Sequence, residues 1–371
     1  MTRKRVYIAY TGGTIGMTKN ARGEYAPAPG FLEAQLRALP EFADALLPEF
    51  TINEYAPLLD SANITPRVWR AIARDIQAHY ADYDGFVVLH GTDTMAYTAS
   101  ALAFMLRGRK TIIVTGSQVP LCELRTDARD NLLTSLILAA QYAIPEVCLY
   151  FGNRLLRGCR AVKTSVGGFD AFDSPNFPSL GKIGVDIRLR WDLILPPPRE
   201  EELVVQEFSE PRVAALRLFP GISADVVAHI LATPLQGLVL EAYGSGNGPM
   251  ATPEFRAVLS DATARGIVIV ATTQCLSGTV ALGGYEASLA SAGVTSGLDL
   301  TAEAALAKLF YLFSLRRAGS GAPKNDRKFA RRTHAADVKI GTRTLCARRN
   351  ADFLLSAFLR VCPRPIFRRL K

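Results

Sequence analysis

In the first part of the chain, apolar and β-branched residues recur as short unbroken runs, at residues 6–10, 86–89, 111–114 and 147–151. A run with no polar face suits a strand buried on both sides of a sheet. Between these runs, residues 95–106 and 128–142 carry apolar side chains at helical spacing, which predicts the crossover helices that a largely parallel sheet needs. A second, smaller series follows, with strands predicted at 213–218, 237–242 and 267–271 and helices at 225–231 and 254–265. Thr301 then caps a last amphipathic helix through Leu315, with Glu303 in its first turn, where a negative charge suits the helix dipole. The stretch PPPREEELVVQEFSE separates the two series; three prolines forbid helix and the acids favour solvent.

This pattern predicts an α/β protein. A larger N-terminal domain (residues 1–194) holds a mainly parallel sheet, flavodoxin- or Rossmann-like, and residues 195–211 act as a linker. A smaller α/β domain occupies residues 212–315. After Leu315 the periodicity collapses. Residues 316–371 hold 16 Lys+Arg against 3 Asp, whereas residues 1–315 hold 27 Lys+Arg against 31 Asp+Glu. All of the excess positive charge therefore lies in this tail, and the overall +9 gives no argument for a nucleic-acid function of the whole protein. A disordered basic tail, a nucleic-acid arm and a shifted reading frame are three readings of it, and the abrupt change of texture favours the last.

Six cysteines (Cys122, Cys148, Cys159, Cys275, Cys346 and Cys362) stand without a CxxC pair, which argues for reduced thiols rather than a disulfide framework or a zinc site. No run approaches a membrane span, and glycines at 12, 13 and 16 cut short the apolar start that a signal peptide would extend. A cytoplasmic location is expected, with no metal, cofactor, nucleic acid or membrane as a partner.

The chemistry-bearing residues follow the predicted strands. TGGTIG after the first strand fails as a dinucleotide fingerprint, because GxGxxG needs glycine at Thr11, and it lacks the GK[ST] of a Walker loop. It does put two hydroxyls, Thr11 and Thr14, at the carboxyl edge of the sheet, where open α/β folds build their sites. HGTDTM (residues 90–95), LLDSAN (58–63) and TGSQ (115–118) end strands in the same way. A lone GTD turn is usually a helix N-cap, and Asp93 or Thr94 would serve. Four such loops on one edge, carrying short hydroxyls, an amide and carboxylates, suit a small zwitterionic ligand. Four scattered histidines give no triad, and His90 reads as a packed strand-end residue.

These motifs carry a resemblance. TGGTIGM and LHGTDTM, with LLDSANI, TGSQVP, GFDAFDSPN and TQCLSG in order, make the chain to about residue 315 similar to the bacterial-type L-asparaginases, in particular their cytoplasmic type I branch. The resemblance implies that Thr14 attacks the side-chain amide carbon of L-asparagine, releasing ammonia and leaving a β-aspartyl ester that water hydrolyses. It implies a second catalytic group of Thr92, Asp93 and Lys163, with Tyr25 on a mobile loop. Asp60 and Ser61 would hold the α-amino and α-carboxylate groups, and Ala62 and Gln118 would line the same pocket. A homodimer or homotetramer and some glutaminase activity are also implied. An asparagine-binding sensor without turnover is the alternative. Regulated type I relatives are expected to carry arginine where this chain has Glu241, so a second, allosteric site around Glu241, Asn247, Thr273 and Cys275 is doubtful.

The chemistry is sensible for a threonine. Its hydroxyl is a weak nucleophile until a positioned group removes the proton, and Asp93 beside cationic Lys163 is a reasonable proton-handling pair. Residues 17–30, rich in Gly, Pro and small polar residues and holding Tyr25, read as a lid over Thr14.

Overall fold

The computed structural model describes residues 3–206 and 208–318. Residues 319–371, which include most of the basic tail, lie outside the described residues. The chain divides into two compact units, residues 1–208 and 209–371.

The first unit is built on an eight-stranded sheet of β1 (Arg5–Gly12), β2 (Glu49–Leu59), β3 (Gly85–Leu89), β4 (Ile112–Thr115), β5 (Val147–Phe151), β6 (Arg154–Arg157), β7 (Gly181–Ile183) and β8 (Ile187–Leu189). Their order is β8-β7-β6-β5-β4-β3-β1-β2. The strands from β2 to β5 run parallel, whereas β6, β7 and β8 add an antiparallel edge. The parallel part thus has the flavodoxin-like order 2-1-3-4-5, whose topological switch point lies between β1 and β3. Connections leave these two strands in opposite directions, so the crevice at their carboxyl ends is open for a ligand.

β3 and β5 are buried along their whole length, as their uninterrupted apolar runs require. Among the described residues four α-helices complete the unit: α1 (Phe31–Ala38), α2 (Pro66–His79), α3 (Met95–Met105) and α4 (Ala128–Gln141). The sequence reading did not single out α2. It begins with Pro66 in its first turn and buries Trp69, Ile72, Ala73 and Ile76, an i, i+3, i+4, i+7 stripe. α3 is different: Ala, Ser and Thr let it sit close to its neighbours, and it is buried on nearly every side.

Met17–Lys19 and Tyr25–Pro27 pair as a small antiparallel hairpin within the segment read as a lid. Its turn is closed by the Asn20 side chain, which accepts from the Arg22 and Glu24 amides at 2.8 and 3.1 Å. In the segment read as a linker, Val204–Val205 pairs antiparallel with Leu106–Arg107.

Among the described residues the second unit has four parallel strands in order, β9 (Val213–Arg217), β10 (Gly237–Ala242), β11 (Val268–Thr273) and β12 (Thr295–Ser296). α5 (Ala224–Ala232) and α6 (Pro253–Ala264) contribute Val227, Leu231, Phe255 and Leu259 to one core. α7 (Ala302–Ala318) packs Ala304, Ala305, Leu309, Leu312 and Phe313 with Val239, Val268 and Val270 in the other. The Thr301 hydroxyl accepts from the Ala304 amide at 3.1 Å, the cap expected of it.

Candidate active site

The loops after β1 and β3 meet at the switch point. Gly13 has φ 91°, a conformation that a side chain would strain, and a Cβ there would strike the backbone of Gly91. Glycine at both positions is therefore what brings Thr14 and Thr92 onto adjoining backbone. Thr14 opens a single tight helical turn, Thr14–Gly16, and is half-buried. The turn is fixed from two sides, by the Gly13 amide donating to the Leu59 carbonyl (3.2 Å) and the Leu121 amide donating to the Ile15 carbonyl (3.0 Å).

Beside it, the Lys163 ammonium donates to Thr92 Oγ1 at 2.9 Å and to Asp93 Oδ1 at 2.8 Å. Lys163 is not the solvated surface charge that its sequence context alone suggests. Its side chain is 20% exposed, against 67% for Asp93, so the ammonium is delivered inward to Thr92, itself only 7% exposed. Lys163 lies on a two-stranded ribbon, Val162–Lys163 with Phe172–Asp173, in the connection between β6 and β7.

Asp60 is exposed, and its carboxylate accepts from the Ala62 amide at 2.9 Å, which shapes the turn holding Ser61 and Ala62. Ser61 is buried at 4% exposure, and its carbonyl accepts the Thr94 hydroxyl at 2.7 Å. The Gln118 side-chain amide donates to the carbonyls of Val166 (2.8 Å) and Gly168 (3.1 Å), so it holds the loop beyond Lys163. Its own backbone amide is held by the Asp127 carboxylate, as is that of Val119. Tyr25 is 44% exposed, and its hydroxyl donates to Glu123 Oε1 at 2.7 Å. Lys19 pairs with the same oxygen at 3.0 Å and lies over the tyrosine ring. Hydrogen bonding to Glu123 raises the Tyr25 phenol, while those to Tyr25 and Lys19 hold the Glu123 carboxyl below its usual range.

Sequence reasoning missed Glu123 and Lys19, because nothing local marks a solvated acid 98 residues from its tyrosine as a partner. It also missed the relay behind His90. That histidine is fully buried; its Nδ1 lies 2.7 Å from the Gly91 carbonyl and its Nε2 2.9 Å from Thr98 Oγ1, to which the Trp69 indole donates at 3.0 Å. Burial depresses its pKa to about 4.

In the second unit, Glu241, Asn247, Thr273 and Cys275 fall at or beyond the carboxyl ends of β10 and β11. Glu241 faces Arg217 of β9 at 3.6 Å. The Asn247 and Tyr243 backbones bond each other, and Thr273 Oγ1 accepts from the Cys275 amide. Gln274, within the TQCLSG motif, donates to the carbonyls of Leu218 and Glu241 and ties the ends of β9 and β10 together.

Hydroxyls, an ammonium and the carboxylates of Asp60 and Asp93 on the loops at the switch point define an α/β protein with a doubly wound sheet and a polar candidate site at its carboxyl edge. The comparisons make this specific. Residues 5–195 match the family model described as asparaginase, N-terminal, and residues 212–320 that of the glutaminase/asparaginase C-terminal domain. The chain belongs to the asparaginase family. It is 52% identical over 317 residues to L-asparaginase 1 of Escherichia coli K12, covering 85% of this chain and 93% of that one. The 60 kDa lysophospholipase of Homo sapiens is 46% identical over 333 residues, 83% of this chain but 57% of that longer protein. Among solved structures, L-asparaginase I of Vibrio cholerae superposes with a TM-score of 0.78 at 47% identity, covering 90% of this chain and 98% of that one.

Proposed function

We propose that the protein is an L-asparagine amidohydrolase in which Thr14 is the nucleophile. The observation that carries this reading is the Lys163 ammonium bonded to both Thr92 and Asp93 on backbone that abuts the Thr14 turn. Thr14 Oγ bonds to the side-chain amide carbon as its proton passes to Thr92 Oγ1, which gives its own proton to the departing nitrogen. The tetrahedral adduct collapses, the C–N bond breaks, and the nitrogen departs as ammonia after taking a proton. Water then attacks the β-aspartyl ester, and the C–O bond to Thr14 breaks to give L-aspartate. Lys163 stabilises negative charge developing on Thr92 Oγ1, which lets that oxygen handle a proton without a histidine, and Asp93 holds the ammonium in place. Asp60 and Ser61 take the substrate's α-amino and α-carboxylate groups, with Ala62 beside them; Gln118 acts by holding the loop that follows Lys163. Tyr25 belongs to a lid that excludes water from the ester.

Glutamine is one methylene longer, a difference of about 1 to 3 kcal/mol in a pocket, so minor glutaminase activity is expected. The location is cytoplasmic, a reading supported by cysteines at 122, 148 and 275 that form no disulfide. Among the described residues no helix is long and apolar enough to cross a membrane. A homodimer or homotetramer is supported by exposed apolar side chains at Leu124, Val166 and Phe169 near the site loops.

Ammonia release from L-asparagine, with L-glutamine in parallel, tests the activity. Thr14→Ala should lower turnover by on the order of 10^4-fold or more, the scale of losing a covalent nucleophile. Unchanged turnover in that variant would defeat the assignment. Asparagine binding with no ammonia from the wild type would instead make the protein a sensor.

A further inference from the structure

The loop that presents Thr92 and Asp93 is tied to the protein interior through a chain of three side chains that the proposed chemistry does not use. The Trp69 indole on α2 can only donate, and it donates to Thr98 Oγ1 on α3 at 3.0 Å. Thr98 Oγ1 lies 2.9 Å from His90 Nε2, and His90 Nδ1 lies 2.7 Å from the Gly91 carbonyl, which can only accept. The acceptor-only carbonyl requires a proton on Nδ1, and burial disfavours the charged ring, so Nε2 is left as an acceptor and the Thr98 hydroxyl donates to it. Indole N–H donates to hydroxyl, hydroxyl O–H to Nε2, and Nδ1–H to carbonyl. The imidazole is therefore neutral, with its proton on Nδ1. Trp69 is 5% exposed, His90 1% and Thr98 0%, and the edge-to-face contact of Trp69 with Phe208 holds the indole in place.

The receiving carbonyl belongs to the Gly91–Thr92 peptide. Gly91 is wedged between Gly13 and the Ser61 side chain, where neither neighbour leaves room for a Cβ. Its amide side is thus set by packing, and its carbonyl side by His90. We infer that His90 is a positioning residue: held as the neutral Nδ1–H tautomer by Thr98 and Trp69, it fixes the Gly91–Thr92 peptide and thereby the Thr92 hydroxyl that Lys163 engages. The inference rests on the proposed role of Thr92 for its effect on turnover, but the tautomer and the relay stand apart from that role.

Two measurements test it. Nitrogen-15 NMR of the full-length protein labelled at histidine should show one buried imidazole as the Nδ1–H tautomer, unchanged from pH 5.5 to 9. An Nε2–H tautomer or a midpoint between pH 6 and 7 would overturn the relay whatever the activity. For turnover, Thr98→Val removes the hydroxyl at nearly constant volume, and Thr98→Ser restores it. The valine variant should lose about tenfold in kcat with KM changed less than twofold, and its His90 signal should shift to mixed tautomers; the serine variant should recover both. Equal kcat in the two variants would overturn the positioning role. His90→Asn, which can still donate from the Nδ1 position, should retain more activity than His90→Leu, and the reverse order would count against the inference. If the wild type shows the expected tautomer yet releases no ammonia, the proposed activity fails while the relay stands.

Discussion

The two sides of the proposed site are built on opposite physical terms. Beneath Thr14 and Thr92 lies a floor of buried, mutually satisfied groups: His90 and Thr98 are closed to solvent, and glycines at 13 and 91 let two strand-ends touch. Over it, the hairpin carrying Tyr25 is held by exposed contacts to Glu123, with Lys19 sharing the same carboxylate oxygen. Exposed ion pairs contribute little stability and exchange readily with water, whereas buried polar networks are costly to break. The floor is therefore suited to hold reacting groups still, and the hairpin to open and close.

The sharpest way to break this contrast is to remove the floor's charge. Lys163→Met should lower kcat for asparagine by about 10^3-fold, the scale of losing a preorganised donor. A loss under tenfold in steady-state ammonia release would place the proton handling elsewhere. Next comes acid stability. His90 has a folded pKa of about 4, below the ordinary 6.5, because burial disfavours its charged form. The unfolded chain takes up the proton first, so the contribution is fully present above pH 6.5 and is lost as the pH falls towards 4. This amounts to about 3 kcal/mol at the one pKa unit per 1.36 kcal/mol equivalence. Urea unfolding at pH 7 and pH 4 should show the loss, and His90→Asn should show less of it.

The lid should respond in binding rather than stability. Glu123→Ala should raise KM for asparagine about threefold and move Tm by less than about 2 °C, as expected for an exposed group. A large Tm change would make the hairpin part of the core instead. The smallest effect is on pH. Because Tyr25 and Lys19 hold the Glu123 carboxyl below its usual range, the latch is intact above the ordinary carboxylate range and is lost as the pH falls through the lowered value. KM should stay flat from pH 8 to 5 and rise only in more acidic solution, and Glu123→Ala should flatten that rise.

The buried strands were readable because a strand covered on both faces needs an unbroken apolar run, and residues 86–89 and 147–151 are such runs. α2 was overlooked, although its stripe of Trp69, Ile72, Ala73 and Ile76 has helical spacing. The antiparallel strands at residues 181–183 and 187–189 were illegible for another reason: three-residue edge strands with charged, half-exposed positions carry no period. Candidate residues on glycine-bracketed strand-ends were legible, since a hydroxyl among glycines is a local feature. Glu123 and the His90 relay were not, because each joins residues from separate elements.

The sequence by itself determined two parallel α/β units, the edge on which Thr14, Thr92 and Asp93 stand, and membership of the asparaginase pattern. These follow from periods and spacings within one segment. Only the tertiary structure decided that Lys163 turns inward to Thr92, that Gln118 holds a loop, that Tyr25 is latched by Glu123 and that His90 fixes a peptide. Hydrogen bonds across 98, 71, 50 and 29 residues have no signature in local order, because direction and reach are set by packing.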